Sequence, residues 1–203
     1  MEVKSSNSIM KLYTIGYSSF SIEQFIDTLK QYNITALADV RSQPYSRYRP
    51  DFNRESLNST LKTHNIAYVF LGDLCGGRID APDCYVEGRA DYTLIAKHPK
   101  FQKGLGRIRQ GTEKYQIALM CAEKDPIMCH RAILICKNLV SENIRIVHIL
   151  EGGGLESHEE TERRLIRLSQ LDQPSLFKPS NNSLEKAYRM QAEKIAYKPF
   201  DSS

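Results

Sequence analysis

The spacing of apolar residues along the chain switches between two periods. Short runs at 11–15, 36–40, 66–71, 117–121 and 145–150 are rich in aliphatic residues on both alternating sides. Runs of that length and composition predict strands, and the one from Ile117 to Met120 reads as covered on both faces. Between them, apolar residues recur every three to four positions at 22–31, 54–64, within 90–109, from Asp125 to about Glu142, after Ser157 and at 183–196. Those stretches predict helices. Alternation of the two predicts α/β architecture: a mainly parallel sheet flanked by helices, Rossmann-like and three-layered, with a C-terminal helical extension.

Punctuation supports the same order. Ser21 with Gln24 resembles a capping box, Asn53 is a candidate cap, and Asp125-Pro126 reads as an N-cap followed by a first-turn proline. Residues 72–88 hold Gly76-Gly77, Pro82, Cys75 and Cys84 and read as a long loop. Residues 1–9 are expected to be disordered, 10–170 to form the α/β domain, and 171–203 to be a linker and helical appendage whose Leu184, Ala187, Tyr188 and Ile195 dock on the body.

With 203 residues and 41% hydrophobic composition, the chain supports one well-buried core plus that appendage. A net charge of +4 permits a polyanionic partner without requiring one. Five cysteines, odd in number and without an apolar leader before them, imply reduced thiols in a cytoplasm. No apolar run reaches the roughly 20 residues needed to cross a bilayer, so no membrane partner is expected.

The richest chemistry lies between 116 and 131, where a strand, a tight connection and a helix start carry Cys121, Glu123, Cys129, His130 and Arg131. Strand ends of this kind open into crevices that hold ligands, and helix N-termini favour anions there. Cys129, near a helix start beside His130 and Arg131, is a candidate thiolate nucleophile; the competing reading is a small core residue. The Cys-x5-Arg phosphatase signature is absent, because position 127 is Ile127. Cys121, Cys129 and His130 suit zinc by donor type but not by spacing, and a Cys121–Cys129 redox pair lacks the Cys-x-x-Cys motif.

A second cluster follows the strand at 36–40. Asp39 emerges from apolar surroundings, where an isolated carboxylate is costly, so Arg41 or Arg131 is its expected partner. Asp39 and Glu123 are the candidate acid and base. Beyond them, Arg41, Tyr45, Arg47, Tyr48 and Arg49 combine forked phosphate donors with stacking faces. Gly16 directly after the first strand gives close backbone access, but no Gly-x-Gly-x-x-Gly or Walker loop exists. His148, inside an apolar strand, reads as a satisfied core histidine, and His158 as more accessible.

Together, Thr14-Ile-Gly16-Tyr17-Ser18, Asp39-Val-Arg41-Ser42 with Pro44 and Ser46, Phe52-Asn53, Tyr68 with Leu71-Gly72, Cys121-Ala-Glu123, Cys129-His130-Arg131 and His148-Ile149 resemble the domain of unknown function 488 family. The likeness spans about 10–168 and the tail 184–197. It implies an α/β domain and a bacterial or archaeal soluble protein, and no settled activity.

The expectation from the residues is an enzyme, a hydrolase or transferase, acting on a phosphate-bearing small molecule or nucleic acid. Asp39, Glu123 and Cys129 are its candidate catalytic groups. Gly16, Arg41, Tyr45, Arg47, Cys121, His130 and Arg131 are its candidate substrate-binding groups. No organic cofactor and no metal are required. The alternatives are a non-catalytic nucleic-acid-binding module, using the arginine–tyrosine loop and Lys186, Arg189, Lys194 and Lys198, and a thiol, redox or zinc-binding protein.

Overall fold

The structure, a computed structural model, describes residues 9–140, 143–171 and 181–198, the first two of the last segment by backbone alone. The expected disordered terminus, residue 9 excepted, and the expected linker at 172–180 lie outside the described residues.

Strand β1 (Met10–Gly16) passes through a tight turn into α1 (Ile22–Gln31). The Ser21 hydroxyl accepts from Gln24 N at 3.2 Å and the Gln24 side chain accepts from Ser21 N at 3.0 Å, so the capping box is present. Then come β2 (Ala36–Asp39), α2 (Arg54–Thr63) and β3 (Ala67–Phe70). The region expected to be loop contains α3 (Gly72–Cys75) and an antiparallel ladder of β4 (Tyr85–Val86) and β5 (Arg89–Ala90). The following helical stretch is two helices, α4 (Tyr92–Lys97) and α5 (Pro99–Thr112). Pro99 cannot continue α4, and His98 caps the restart.

β6 (Ile117–Cys121) precedes a helix that does not open at Asp125 as expected. Asp125 Oδ1 accepts from Ile127 N at 3.0 Å and caps only a single 3-10 turn, Pro126–Met128. Cys129 then returns to extended backbone (φ −137°, ψ 140°). Helical turns resume as the π-helical Arg131–Cys136 and α6 (Lys137–Leu139), three residues short of the expected end, of which 141–142 lie outside the described residues. β7 (Ile144–Ile149), β8 (Leu155–Ser157), α7 (His158–Leu168) and α8 (Asn181–Ile195) complete the chain.

The main sheet runs β3-β2-β6-β1-β7-β8, parallel throughout except at β7–β8. Alternating strand residues feed two cores. Tyr13, Ile15, Leu37, Ala118 and Met120 pack under α1 and α2. Leu12, Ala38, Leu119 and Cys121 pack on the other face with α5, the 131–139 helix, α7 and α8. This is the expected three-layer arrangement, and α8 with its buried Ala187 and Tyr188 belongs to the body. No described helix is long and apolar enough to cross a membrane.

Central β6 thus leaves toward one face, while its neighbours β1 and β2 leave toward the other. Divergence of that kind opens a crevice at the carboxyl ends of the strands.

Candidate active site

A cavity of about 280 Å³ occupies that crevice and is lined by Arg41, Tyr92, Cys121, Glu123, Cys129 and His130, with Arg78 and Tyr197 among the rest of its wall. A larger concavity, about 720 Å³, lies between α4, the 131–139 helix and α8, but its wall holds no thiol or imidazole. The reactive groups gather in the smaller one.

Asp39 ends β2 fully buried, and its carboxylate is completely engaged. Arg41 donates from Nε at 2.9 Å, from Nη2 at 2.6 Å and from its backbone N at 3.1 Å, and the Tyr68 hydroxyl donates at 2.7 Å. Tyr68 can reach because β3 lies beside β2 in parallel register. Arg41 Nη2 also donates to Phe52 O at 2.8 Å, and the guanidinium lies 5.1 Å from the Tyr17 ring centre. Burial disfavours the Arg41 charge, yet the Asp39 hydrogen bonds and charge push its pKa above the usual arginine range. One donor is left over. Arg41 Nη1 is buried and has no hydrogen-bond partner.

Cys121 ends β6, and its Sγ donates to Glu123 Oε2 at 3.0 Å. The His130 Nδ1 lies 3.7 Å from Cys121 Sγ and 3.8 Å from Cys129 Sγ, while His130 Nε2 donates to Val40 O at 2.9 Å. Cys129 is the true N-cap of its helix: its carbonyl accepts from Ala132 and Ile133, and its sulfur accepts from Arg131 N at 3.4 Å. Burial alone would push the Cys129 thiol up; the neighbouring Cys121 thiol and the charges of Arg131 and His130 take it well below the usual range. Cys121 is driven the opposite way, by its closeness to Cys129 and by burial. Burial and the neighbouring Cys129 raise the Glu123 carboxyl, and Cys129 lifts His130 against the effect of burial.

The other expected site residues lie elsewhere. Arg131, fully buried, donates to Glu123 O, to Lys124 O at 3.0 Å and to Thr14 Oγ1 at 3.3 Å. It pins the turn carrying Glu123 and does not line the cavity. Gly16 serves packing: a Cβ there would stand 1.8 Å from Glu123 O. Tyr45 bonds Glu55 and Arg47 stacks on Tyr48, both away from the cavity wall. Cys75 packs under Gly104, and Cys84 groups with Asp83 and His98.

His148 is satisfied as expected, but His158 is buried rather than accessible, because α8 lays Tyr188 against it. Sequence reasoning passed over Tyr92, Arg78 and Tyr197, which reach the cavity from remote segments with no local signal. Tyr68 lies on a predicted strand, but nothing in its local sequence discloses that β3 pairs beside the strand that ends in Asp39.

A family model described as Domain of unknown function DUF488 matches residues 21–137, more than half of the chain. The chain belongs to this family. Comparison with curated proteins and with solved structures finds no match. The matched DUF488 segment contains Asp39, Arg41, Cys121, Glu123, Cys129, His130 and Arg131. Thr14, His148, His158 and α8 lie outside it.

Proposed function

We propose that this DUF488 chain is an enzyme, a hydrolase or transferase, that holds a phosphate-bearing substrate, a nucleotide or nucleic-acid strand, in the strand-end cavity. The observation that carries this reading is Arg41. Its side chain lines the cavity, it is 5% exposed, and its Nη1 lacks an acceptor. An unsatisfied buried donor costs about 1–3 kcal/mol, which a phosphate oxygen would relieve. Exposed Arg78 at the rim adds a second cation. Within this reading Asp39 and Tyr68 hold Arg41 in place, and Glu123, inside the cavity, exchanges a proton with the bound group.

The test is a panel of nucleotides and short oligonucleotides offered to the full chain. Glu123→Gln is expected to abolish turnover with binding retained, and Arg41→Lys and the surface change Arg78→Ala to weaken binding. Absence of any phosphate-dependent binding, or binding indifferent to both arginines, would overturn the reading.

A nucleic-acid-binding module without chemistry is favoured by one other observation. Tyr45 and Tyr48 are 58% and 76% exposed, Arg47 lies 4.8 Å from the Tyr48 ring centre, and Lys186, Arg189, Lys194 and Lys198 are exposed. That module would bind oligonucleotides with a steep salt dependence, unaffected by Glu123→Gln and with no turnover.

A further inference from the structure

We infer that Cys121, Cys129 and His130 form a binding site for a soft divalent cation, with zinc the ion whose donor preference and geometry they match. Their three donor atoms lie within 4.8 Å of one another. Tetrahedral zinc, with bonds of about 2.3 Å to sulfur and about 2.0 Å to nitrogen, separates those donors by about 3.5 Å. The His130 Nδ1 already stands 3.7 and 3.8 Å from the two sulfurs.

The orientation of His130 strengthens the case. Its Nε2–H is spent on Val40 O at 2.9 Å, so Nδ1 faces both sulfurs and, once it gives up its proton, is the nitrogen that ligates. A ligating histidine is held in this way, by a backbone carbonyl on the far nitrogen. The donors also sit on rigid supports. Cys121 ends the central strand, and Cys129 and His130 open a helix whose residues are buried from Arg131 to Cys136. Two thiolates balance the charge of a divalent ion, and thiolate with imidazole selects zinc over harder cations. The three donors and Glu123 line the same cavity, and Glu123 Oε2 lies 3.0 Å from Cys121 Sγ.

Two other groupings are weaker. In Cys136–His148–His158 every ring nitrogen is engaged, with Thr14, Tyr188 or the other histidine. In Asp83–Cys84–His98 the His98 Nδ1 accepts from Lys100 N at 3.2 Å, and Asp83 is exposed. Motif spacing counted against zinc because two ligands are adjacent in sequence and the third arrives from the strand before the turn.

The inference does not depend on the phosphate reading, since ion uptake is measured with no substrate present. The full chain, stripped with chelator and shown to be folded by circular dichroism, is dialysed against zinc or cobalt. The expected result is one ion per chain, a tetrahedral cobalt spectrum with a thiolate charge-transfer band, and zinc-dependent slowing of alkylation at Cys121 and Cys129 but not at Cys84. Cys121→Ser and Cys129→Ser should each weaken uptake by more than about 100-fold. If these variants do not fold, the cobalt spectrum and the alkylation map of the unaltered chain decide. The inference is overturned if the folded chain takes up neither ion, or if uptake persists in both variants and is lost in His148→Gln. It also falls if the reduced chain ignores metal while oxidation joins Cys121 to Cys129.

Discussion

His148 Nε2 and His158 Nδ1 meet at 2.9 Å in the interior, joining two hydrogen-bonded halves into one directed chain. Arg131 Nε donates to Thr14 Oγ1, Thr14 to His148 Nδ1 at 2.7 Å, His148 to His158, His158 Nε2 to the Tyr188 hydroxyl at 3.0 Å, and Tyr188 to Glu162 at 2.8 Å. Each imidazole donates once and accepts once, so both are neutral. Thr14 and His148 face each other because β1 and β7 pair in register.

Acid should therefore unfold the protein early. Burial holds His148 well below its usual range and takes His158 from the ordinary 6.5 down to about 4. Below 6.5 the unfolded chain binds protons that the folded one refuses, so stability is fully present above that pH and drains away as pH falls toward 4. His158 alone accounts for about 3 kcal/mol, taking 1.36 kcal/mol per pKa unit. Thermal midpoints across this range should be level above it and fall through it; a midpoint that stays constant down to pH 4 contradicts the neutral pair.

Tyr188→Phe removes one oxygen that partners buried His158 and half-buried Glu162. His158 Nε2–H loses its acceptor and Glu162 its donor. A loss of about 1–3 kcal/mol in urea denaturation is expected, with little change in secondary structure. A change under about 0.5 kcal/mol, the size of an ordinary surface substitution, would mean that the hydroxyl is not part of the chain.

Asp39→Asn separates support from proton transfer. With Asp39 fully buried and Arg41 5% exposed, loss of the carboxylate charge strands a guanidinium in the interior. Destabilisation of about 3–5 kcal/mol is expected. Were Asp39 only a proton carrier, the denaturation midpoint would stay put while activity vanished.

Gly16→Ala adds a methyl group where backbone already stands. The contact at 1.8 Å is with the Glu123 carbonyl, and Lys124 Cα is 2.9 Å away. The strand end or the Glu123 turn must move, at a cost of about 3 kcal/mol. Cys121 pairs with Gly16 across the sheet, so alkylation of Cys121 should accelerate as well. Unchanged stability together with an unchanged alkylation rate would contradict this packing.

Much of the fold was legible because burial imposes period. The β1, β2, β6 and β7 runs feed apolar residues to both cores, and the Ser21–Gln24 box marks a real helix start. β8 was not legible: it is three residues long, reached through Gly152 and Gly153 at positive φ, and pairs only along β7. Nor does local spacing disclose that β6 inserts between β2 and β1. At the site, Arg41, Cys121, Glu123, Cys129 and His130 could be singled out because each is polar at a strand end or helix start, and the cavity brings them together. Arg131 was assigned to an anion because composition cannot distinguish a guanidinium that binds phosphate from one that binds carbonyl oxygens. His158 looked accessible because the helix that covers it arrives about 30 residues later.

The last helix also ties two fates together. Tyr188 closes the histidine chain, and Ile195 and Tyr197 just beyond it stand in the cavity wall. Peeling that segment away would uncap the buried imidazoles and widen the entrance in a single motion. Proteolytic trimming of the tail should therefore register as thermal fragility and as altered ligand access at once, never as one without the other.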